Sequence, residues 1–367
     1  NNDAHHYIED LISKGVQNFV VNHIPSNLEE KATRGEAELS GANFLVVENT
    51  LKALHDFASY YRKSFHFPII GITGSNGKTI VKEWLNFLLS PDYNIIRSPK
   101  SYNSQVGVPL SVISINEKHN LGIFEAGIST KNEMEKLEKI IQPTIGILTN
   151  IGSAHDEGFL NLEEKVIEKL RLFENSEILI YQKNDLVDSI INKKTKTFTW
   201  SFSDEKANVL IAPKSIAGKT QLSIQYSAIS FDAIIPFQDK ASVENAINCL
   251  MTLLYLGYLP EVIKERMQLL YSVEMRLKVK NGINNTALID DSYSSDYQSL
   301  KIALDFLEQQ KQYKKKTIIL SDIIQSGLPI DALYHKVSEL ITSNKIDRII
   351  VIGEEISVYS GHFKNII

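Results

Sequence analysis

Cysteine is nearly absent from this 367-residue sequence, in which Cys249 is the single example. No internal disulfide can form, a cysteine-based zinc site lacks its ligands, and a reducing compartment is the natural setting. Long apolar runs are missing as well. None approaches the roughly 18 residues of a membrane-spanning helix, and the opening stretch NNDAHHYIEDLISKG has no signal-peptide core. Nor is there an excess of one charge: 39 Lys and Arg stand against 44 Asp and Glu, a net of −5. That balance excludes a general nucleic-acid binder, so any bound phosphate must sit in a local site. What is present, 43% hydrophobic and 23% charged residues, is the composition of a globular, cytoplasmic protein that folds without a partner. At roughly 100 to 200 residues per domain, the length predicts two or three domains.

The sequence begins without Met, inside an amphipathic pattern (Tyr7, Ile8, Leu11, Ile12), and stops at Ile367 soon after the apolar run 348–353. Both ends read as cuts through domains, and a piece of a longer protein is expected. Residues 1–66 alternate short strand and helix patterns: QNFVV at 17–21, NFLVVEN at 43–49, then Leu51, Leu54, Phe57 and Ala58 at helical spacing. From Phe67 a rhythm of apolar run, turn and helix sets in, with runs at 67–73, 94–98, 121–128, 144–151 and 177–182. Runs buried on both faces that alternate with helices predict an α/β fold with a parallel, doubly wound sheet over 67–272. Residues 195–238 are rich in short β patterns and predict an antiparallel flap, followed by helices at 242–256 and 260–270. From 273 to 367 a second α/β series (apolar runs at 286–290, 316–322 and 347–353) predicts a Rossmann-like domain.

The strongest local signal is Gly71-Ile72-Thr73-Gly74-Ser75-Asn76-Gly77-Lys78-Thr79, set between an apolar strand and an amphipathic helix. Glycines let successive backbone N–H groups turn around an anion, the helix N-terminus adds partial positive charge, and the lysine reaches outer phosphates. A strict Walker A pattern wants glycine where Ile72 stands, so the match is to the variant TGxxGKT. Gly74, Ser75, Asn76, Gly77, Lys78 and Thr79 are the candidate phosphate-binding residues, with the Thr79 hydroxyl offered to Mg²⁺.

A phosphate loop needs an acid to complete a metal site. Glu125 follows the buried run LGIF, where a carboxylate is costly unless it meets a cation; a helix-capping glutamate is the other reading. His155 follows the run 144–151, on the side of a parallel sheet where ligands bind, though a lone loop histidine is the commoner case. Lys169 falls at the edge of the apolar stripe Leu162, Val166, Leu170 and Phe173, so it either snorkels to solvent or points inward for a purpose.

Taken together, these residues resemble the Mur ligase family, the ATP-dependent amide-forming enzymes of peptidoglycan synthesis, and within it the MurF type. The likeness runs through TGSNGKT (73–79), YNSQVGVPLSV (102–112), FEAGIS (124–129), TNIGSAHDEGF (149–159), Lys169, ENAINCL (244–250), Arg276 and LIDDSYSSD (288–296), in that order. The resemblance implies three domains, here 1–66 for a UDP-sugar, 67–272 for ATP and 273–367 closing over the site, both outer ones incomplete. It implies ATP and two Mg²⁺ ions as cofactors. UDP-muramyl-tripeptide and D-alanyl-D-alanine would be the substrates, with no nucleic acid and no membrane. Lys78 would contact the transferred phosphate, Thr79 and Glu125 would hold one metal, and His155 would help hold a second. Lys169 falls where the family carries a carbamylated lysine, which would explain an inward position. Asn245 matches an adenine contact, Arg276 a hinge arginine that reaches the phosphates, Asp291 an acid near the ribose, and Asn103 and Asn150 the acyl-acceptor and acyl-phosphate region. Some enzymes of this type continue into an alanine racemase domain, and such a fusion is expected as one possibility here.

The sequence also departs from the family pattern: Ser294 and Asp296 replace two asparagines, and Ala241-Ser242 replaces a histidine-asparagine pair. Two competing readings follow. One is a sister ligase that adds a single amino acid to a muramyl-peptide or glutamate to folate, since the shared motifs do not separate these. The other is a nucleotide-binding module without ligase activity.

Overall fold

The computed structural model describes residues 3–28, 41–152, 158–274, 276–293, 295–310, 312–323, 326 and 328–363. In the N-terminal part, β1 (Asn18–Val21) and β2 (Asn43–Val46) pair in parallel over a small core of Ile8, Phe19, Val21 and Leu28. The helix Thr50–Arg62 does not join that core. Its Ala58 is packed into the central core, and the Arg62 guanidinium, nearly covered, donates to the Ile141 carbonyl at 3.0 Å.

The centre is a nine-stranded sheet among the described residues, in the order β11-β10-β9-β8-β7-β6-β3-β5-β4. Its members are β3 (Ile69–Thr73), β4 (Ile95–Arg97), β5 (Leu121–Glu125), β6 (Ile145–Leu148), β7 (Ile178–Gln182), β8 (Lys196–Ser201), β9 (Val209–Ile216), β10 (Lys219–Tyr226) and β11 (Ile229–Ile235). From β4 to β9 every pairing is parallel. Every residue of β3, β5 and β6 is buried, as continuous apolar runs require when helices cover both faces. Ile70 and Ile72 face the layer holding Val81, Trp84 and Leu85, whereas Ile69 faces the layer of Val108, Phe124 and Met134. Gly71 lies so near Pro143 that a Cβ there would come within 2.7 Å of the proline ring.

The expected antiparallel flap is instead part of this sheet. β8 and β9 continue the parallel series, and only the β9–β10 and β10–β11 pairings are antiparallel. The reversal has a local cause: Ala217 (φ 45°) and Gly218 (φ 82°) form a two-residue turn with both φ positive, the geometry whose twist matches a hairpin.

In the C-terminal part β12 (Lys278–Asn281) and β13 (Ala287–Asp290) pair antiparallel, while β14 (Thr317–Ser321) and β15 (Arg348–Ile352) pair in parallel. Leu304, Leu320, Tyr334, Val337 and Ile349 share a core there. No helix among the described residues is long and apolar enough to cross a membrane.

Candidate active site

The order β6-β3-β5 brings the carboxyl ends of three strands together. Because the chain moves from β3 toward β4 on one side and reaches β6 on the other, their mouth is a switch point of the sheet, where ligands bind in such folds. From β3 the chain turns through Gly74 and Gly77 into the helix Lys78–Leu89. Gly74 has φ 147°, and a Cβ there would sit 2.0 Å from Thr149 Oγ1; Gly77 has φ 84°, and its Cβ would meet Asn245 Oδ1 at 2.2 Å. Only glycine fits either place. No side-chain hydrogen bond caps the helix at Gly77, which leaves its first amides for another acceptor.

The segment after β6 braces this loop. Ser75 N donates to the Asn150 carbonyl and Asn76 N to Asn150 Oδ1, both at 3.0 Å, and Thr149 Oγ1 donates to the Asn76 carbonyl at 2.6 Å. The Ser75 hydroxyl donates to the Gly152 carbonyl at 3.0 Å and accepts from Gly152 N at 2.8 Å. Asn150 therefore lies against the phosphate loop itself.

Three lysines converge on the two loops at this mouth. Lys78 Nζ donates to the carbonyls of Gly74 (2.9 Å) and Ser75 (3.0 Å). Enclosure of its ammonium lowers its pKa to about 8; Glu125 and Asp296 oppose this, and Arg276 and Lys165 add to it. Lys169, 2% exposed, donates to the Gly74 carbonyl at 3.1 Å, so it points inward and does not snorkel. Lys165, one turn earlier and equally covered, donates to the Gly152 carbonyl. Such a gathering of ammonium groups suits a polyphosphate.

Glu125, at the end of β5, is fully buried. Its Oε2 accepts from the Thr79 hydroxyl at 2.9 Å, and Thr79 also meets Ser101 Oγ at 2.9 Å. Its Oε1 has no hydrogen-bond donor among the described residues. Burial raises the Glu125 pKa despite Lys82, Lys78 and the Thr79 bond, so the carboxylate lacks part of the positive charge it needs. An oxygen pair of this kind, threonine hydroxyl beside buried carboxylate, fits Mg²⁺, a hard cation that takes oxygen ligands.

Beside the loop opens a cleft that, with its open mouth, spans about 480 Å³. Asn76, Gly77, Asn150 and Asn245 line one wall; Arg276 and Asp291 line the other. The Arg276 guanidinium lies over the Tyr293 ring, 4.0 Å from its centre, and burial lowers its pKa. Asp291 Oδ1 accepts from Leu277 N at 3.3 Å.

Of the residues expected from sequence, Gly74 to Thr79, Glu125, Asn150, Lys169, Asn245, Arg276 and Asp291 gather at this mouth and cleft. Asn103 lies nearby on the β5 side, where its carbonyl accepts from Gly127 N at 2.8 Å. His155 and Ser294 lie outside the described residues. Two lysines were missed. Lys165 was passed over although it sits one turn before Lys169. Lys82 lies on the face of Lys78, Leu85 and Leu89, and a lysine in that row was the available signal.

A phosphate loop at the switch point of a parallel sheet, with a buried carboxylate beside its threonine, defines a nucleoside-triphosphate-using α/β protein. Residues 72–253 match the Mur ligase middle domain. The chain is 26% identical to the UDP-N-acetylmuramoyl-tripeptide--D-alanyl-D-alanine ligase of Bacillus subtilis (strain 168), over 96% of this chain and 75% of that one. Its fold matches crystal structure I of MurF from Acinetobacter baumannii with TM-score 0.84 at 23% identity, covering 100% of this chain and 78% of the other. It also matches a MurF ligase from Thermotoga maritima in complex with ADP (TM-score 0.79, 20% identity, 100% and 82% covered). Residues 72–253 are thus similar to the middle domain of the Mur ligases, and the chain shares the fold of the MurF structures it matches.

Proposed function

We propose that the chain is an ADP-forming ligase of the MurF type, which joins the tripeptide carboxylate of UDP-N-acetylmuramoyl-tripeptide to D-alanyl-D-alanine in peptidoglycan precursor synthesis. The observation that carries the chemistry is the convergence of Lys78, Lys169 and the Thr79–Glu125 pair on one strand mouth. The substrates are supported by similarity along 96% of the chain to relatives so named. Residues 1–66, 67–272 and 273–367 serve as UDP-sugar, ATP and closing domains, and the cytoplasm is where these substrates meet. The relatives matched are named as ligases alone, which lends the racemase fusion no support.

In this reading the tripeptide carboxylate attacks the γ-phosphate of ATP, the β–γ phosphoanhydride bond breaks, and an acyl phosphate and ADP result. The amine of D-alanyl-D-alanine then attacks that carbonyl, and phosphate leaves from the tetrahedral intermediate. Lys78 offsets the repulsion between the two anions and stays on the transferred phosphate, while the loop amides and Arg276 hold the nucleotide in line. Thr79 and Glu125 would hold Mg²⁺, which would supply Lewis-acid stabilisation of the phosphates. Lys169, if carbamylated by CO₂, would offer a carboxylate-like ligand to a second ion, with His155 as the other residue to hold it. No protein nucleophile takes part, and Cys249 fits this: it is buried and burial pushes its thiol pKa up.

Phosphate release measured with a panel of acceptors tests the proposal. UDP-muramyl-tripeptide with D-alanyl-D-alanine should give release. Release with a single amino acid or with folate and glutamate, and none with the dipeptide, would assign the chain to a sister ligase.

A further inference from the structure

We infer that Lys82 is a positioning residue, a buried side chain anchored on two backbone carbonyls that holds Glu125 in its metal-ligating place before any metal arrives. Lys82 is 0% exposed on the first turns of the helix that follows the phosphate loop. Its Nζ donates to the Ser98 carbonyl at 2.8 Å and to the Lys100 carbonyl, lies 3.1 Å from Glu83 Oε1, and stands 3.6 Å from Glu125 Oε1. That last oxygen is the one without a hydrogen-bond donor. Glu83 does not absorb the charge alone, because it is shared with Arg97, whose Nε donates to Glu83 Oε2 at 3.1 Å. Two backbone carbonyls therefore fix the ammonium in space, and the carboxylate at the end of β5 is left to respond to it. Without Lys82, Glu125 would keep the Thr79 hydroxyl and the charges of Lys78 and Arg276 but would lose the cation that faces its Oε1, and breaking a buried pair by removing one partner is strongly destabilising. With it, the carboxylate stays paired and aimed while its second partner, the metal, comes and goes.

The inference rests on the reading of Glu125 as a metal carboxylate, and thermal unfolding of the full chain separates the two. Four proteins are compared, the parent, Lys82→Met, Glu125→Gln and the double variant, each in EDTA and in saturating Mg²⁺ with ADP. Lys82→Met should lose several degrees in EDTA, and Mg²⁺ with ADP should restore at least half of that loss by supplying the missing charge. In the Glu125→Gln background the same substitution should cost little, since no carboxylate is left unpaired. If Lys82→Met does not fold, the double variant should. Equal losses in both backgrounds, or failure of the double variant to fold as well, would overturn the role of Lys82 while Mg²⁺-dependent ADP binding by the parent stood untouched. A coupling in EDTA that Mg²⁺ and ADP leave unchanged would overturn the metal reading of Glu125 and the positioning role with it.

Discussion

Asp291 should make the protein less stable as pH rises through the weakly acidic range. It stands in the cleft wall with one oxygen accepting from Leu277 N at 3.3 Å. Burial raises its pKa from 3.8 to about 6; the Leu277 bond and Arg276 oppose this, and Asp296 and Asp290 add to it. An acid with a raised folded pKa binds its proton more tightly in the folded state. Between about 4 and 6 the folded chain therefore carries more protons than the unfolded one, and stability falls as pH rises through that window, with the full penalty above it. The displacement from 3.8 to about 6 corresponds to about 3 kcal/mol. Asp291→Asn resembles the protonated acid in shape and keeps an acceptor for Leu277. It should stabilise the chain by up to about 3 kcal/mol at pH 8 and by roughly half that at pH 5. Urea unfolding at the two pH values reads the difference, and ADP titration reads the cost: if Asp291 serves the ribose, affinity should fall as stability rises. An equal gain at both pH values, or a loss at pH 8, would refute the reasoning.

Gly77→Ala places a Cβ 2.2 Å from Asn245 Oδ1 at φ 84°, and the left-handed backbone alone costs roughly 1–2 kcal/mol. ADP affinity by calorimetry should drop at least about tenfold through displacement of both loop and asparagine, with the far-UV spectrum unchanged; parent-like affinity would sink the close-approach argument. Lys169→Ala removes a covered ammonium from the Gly74 carbonyl. Turnover should be lost and should return in part when short-chain carboxylates are added, whereas full activity without them would end the carbamate role.

How much of this was legible beforehand differs by element. The strands that build the site were readable because Ile69–Thr73, Leu121–Glu125 and Ile145–Leu148 are buried on both sides, and only continuous apolar runs satisfy that demand. Glycines 74 and 77 were readable because their conformations and contacts admit nothing larger. Strand direction at the β8 to β11 edge was not. β-rich composition reports that a segment is extended, while its partner is set by the turn at Ala217-Gly218 and by the anchoring of β8 through Trp200, whose Nε1 donates to Asn248 Oδ1 at 3.0 Å. The helix Thr50–Arg62 reads as part of the N-terminal unit by proximity in sequence. It packs centrally because Arg62 finds its acceptors at the end of the helix Met134–Ile141, about 80 residues away.

Charges were the hardest to place, and the reason is physical. A lysine is compatible with solvent or with a carbonyl cage, and sequence shows only which side of a helix it occupies. Lys169 looked ambiguous at the edge of its stripe, and Lys165 was passed over, yet both end on carbonyls of the loops at the strand mouth, Gly74 and Gly152. Lys82 shares a helix face with Lys78 and differs in what it meets: Lys78 turns back onto loop carbonyls, and Lys82 descends toward Ser98 and Glu125. One cation is thus available to a bound phosphate and the other is committed to the fold. A net charge of −5 averages over this separation and conceals it. In the proposed ligase, which must bring two anions together, the separation would carry the function: Lys78, facing the phosphate, would offset their repulsion, and Lys82 would keep the carboxylate in place for metal.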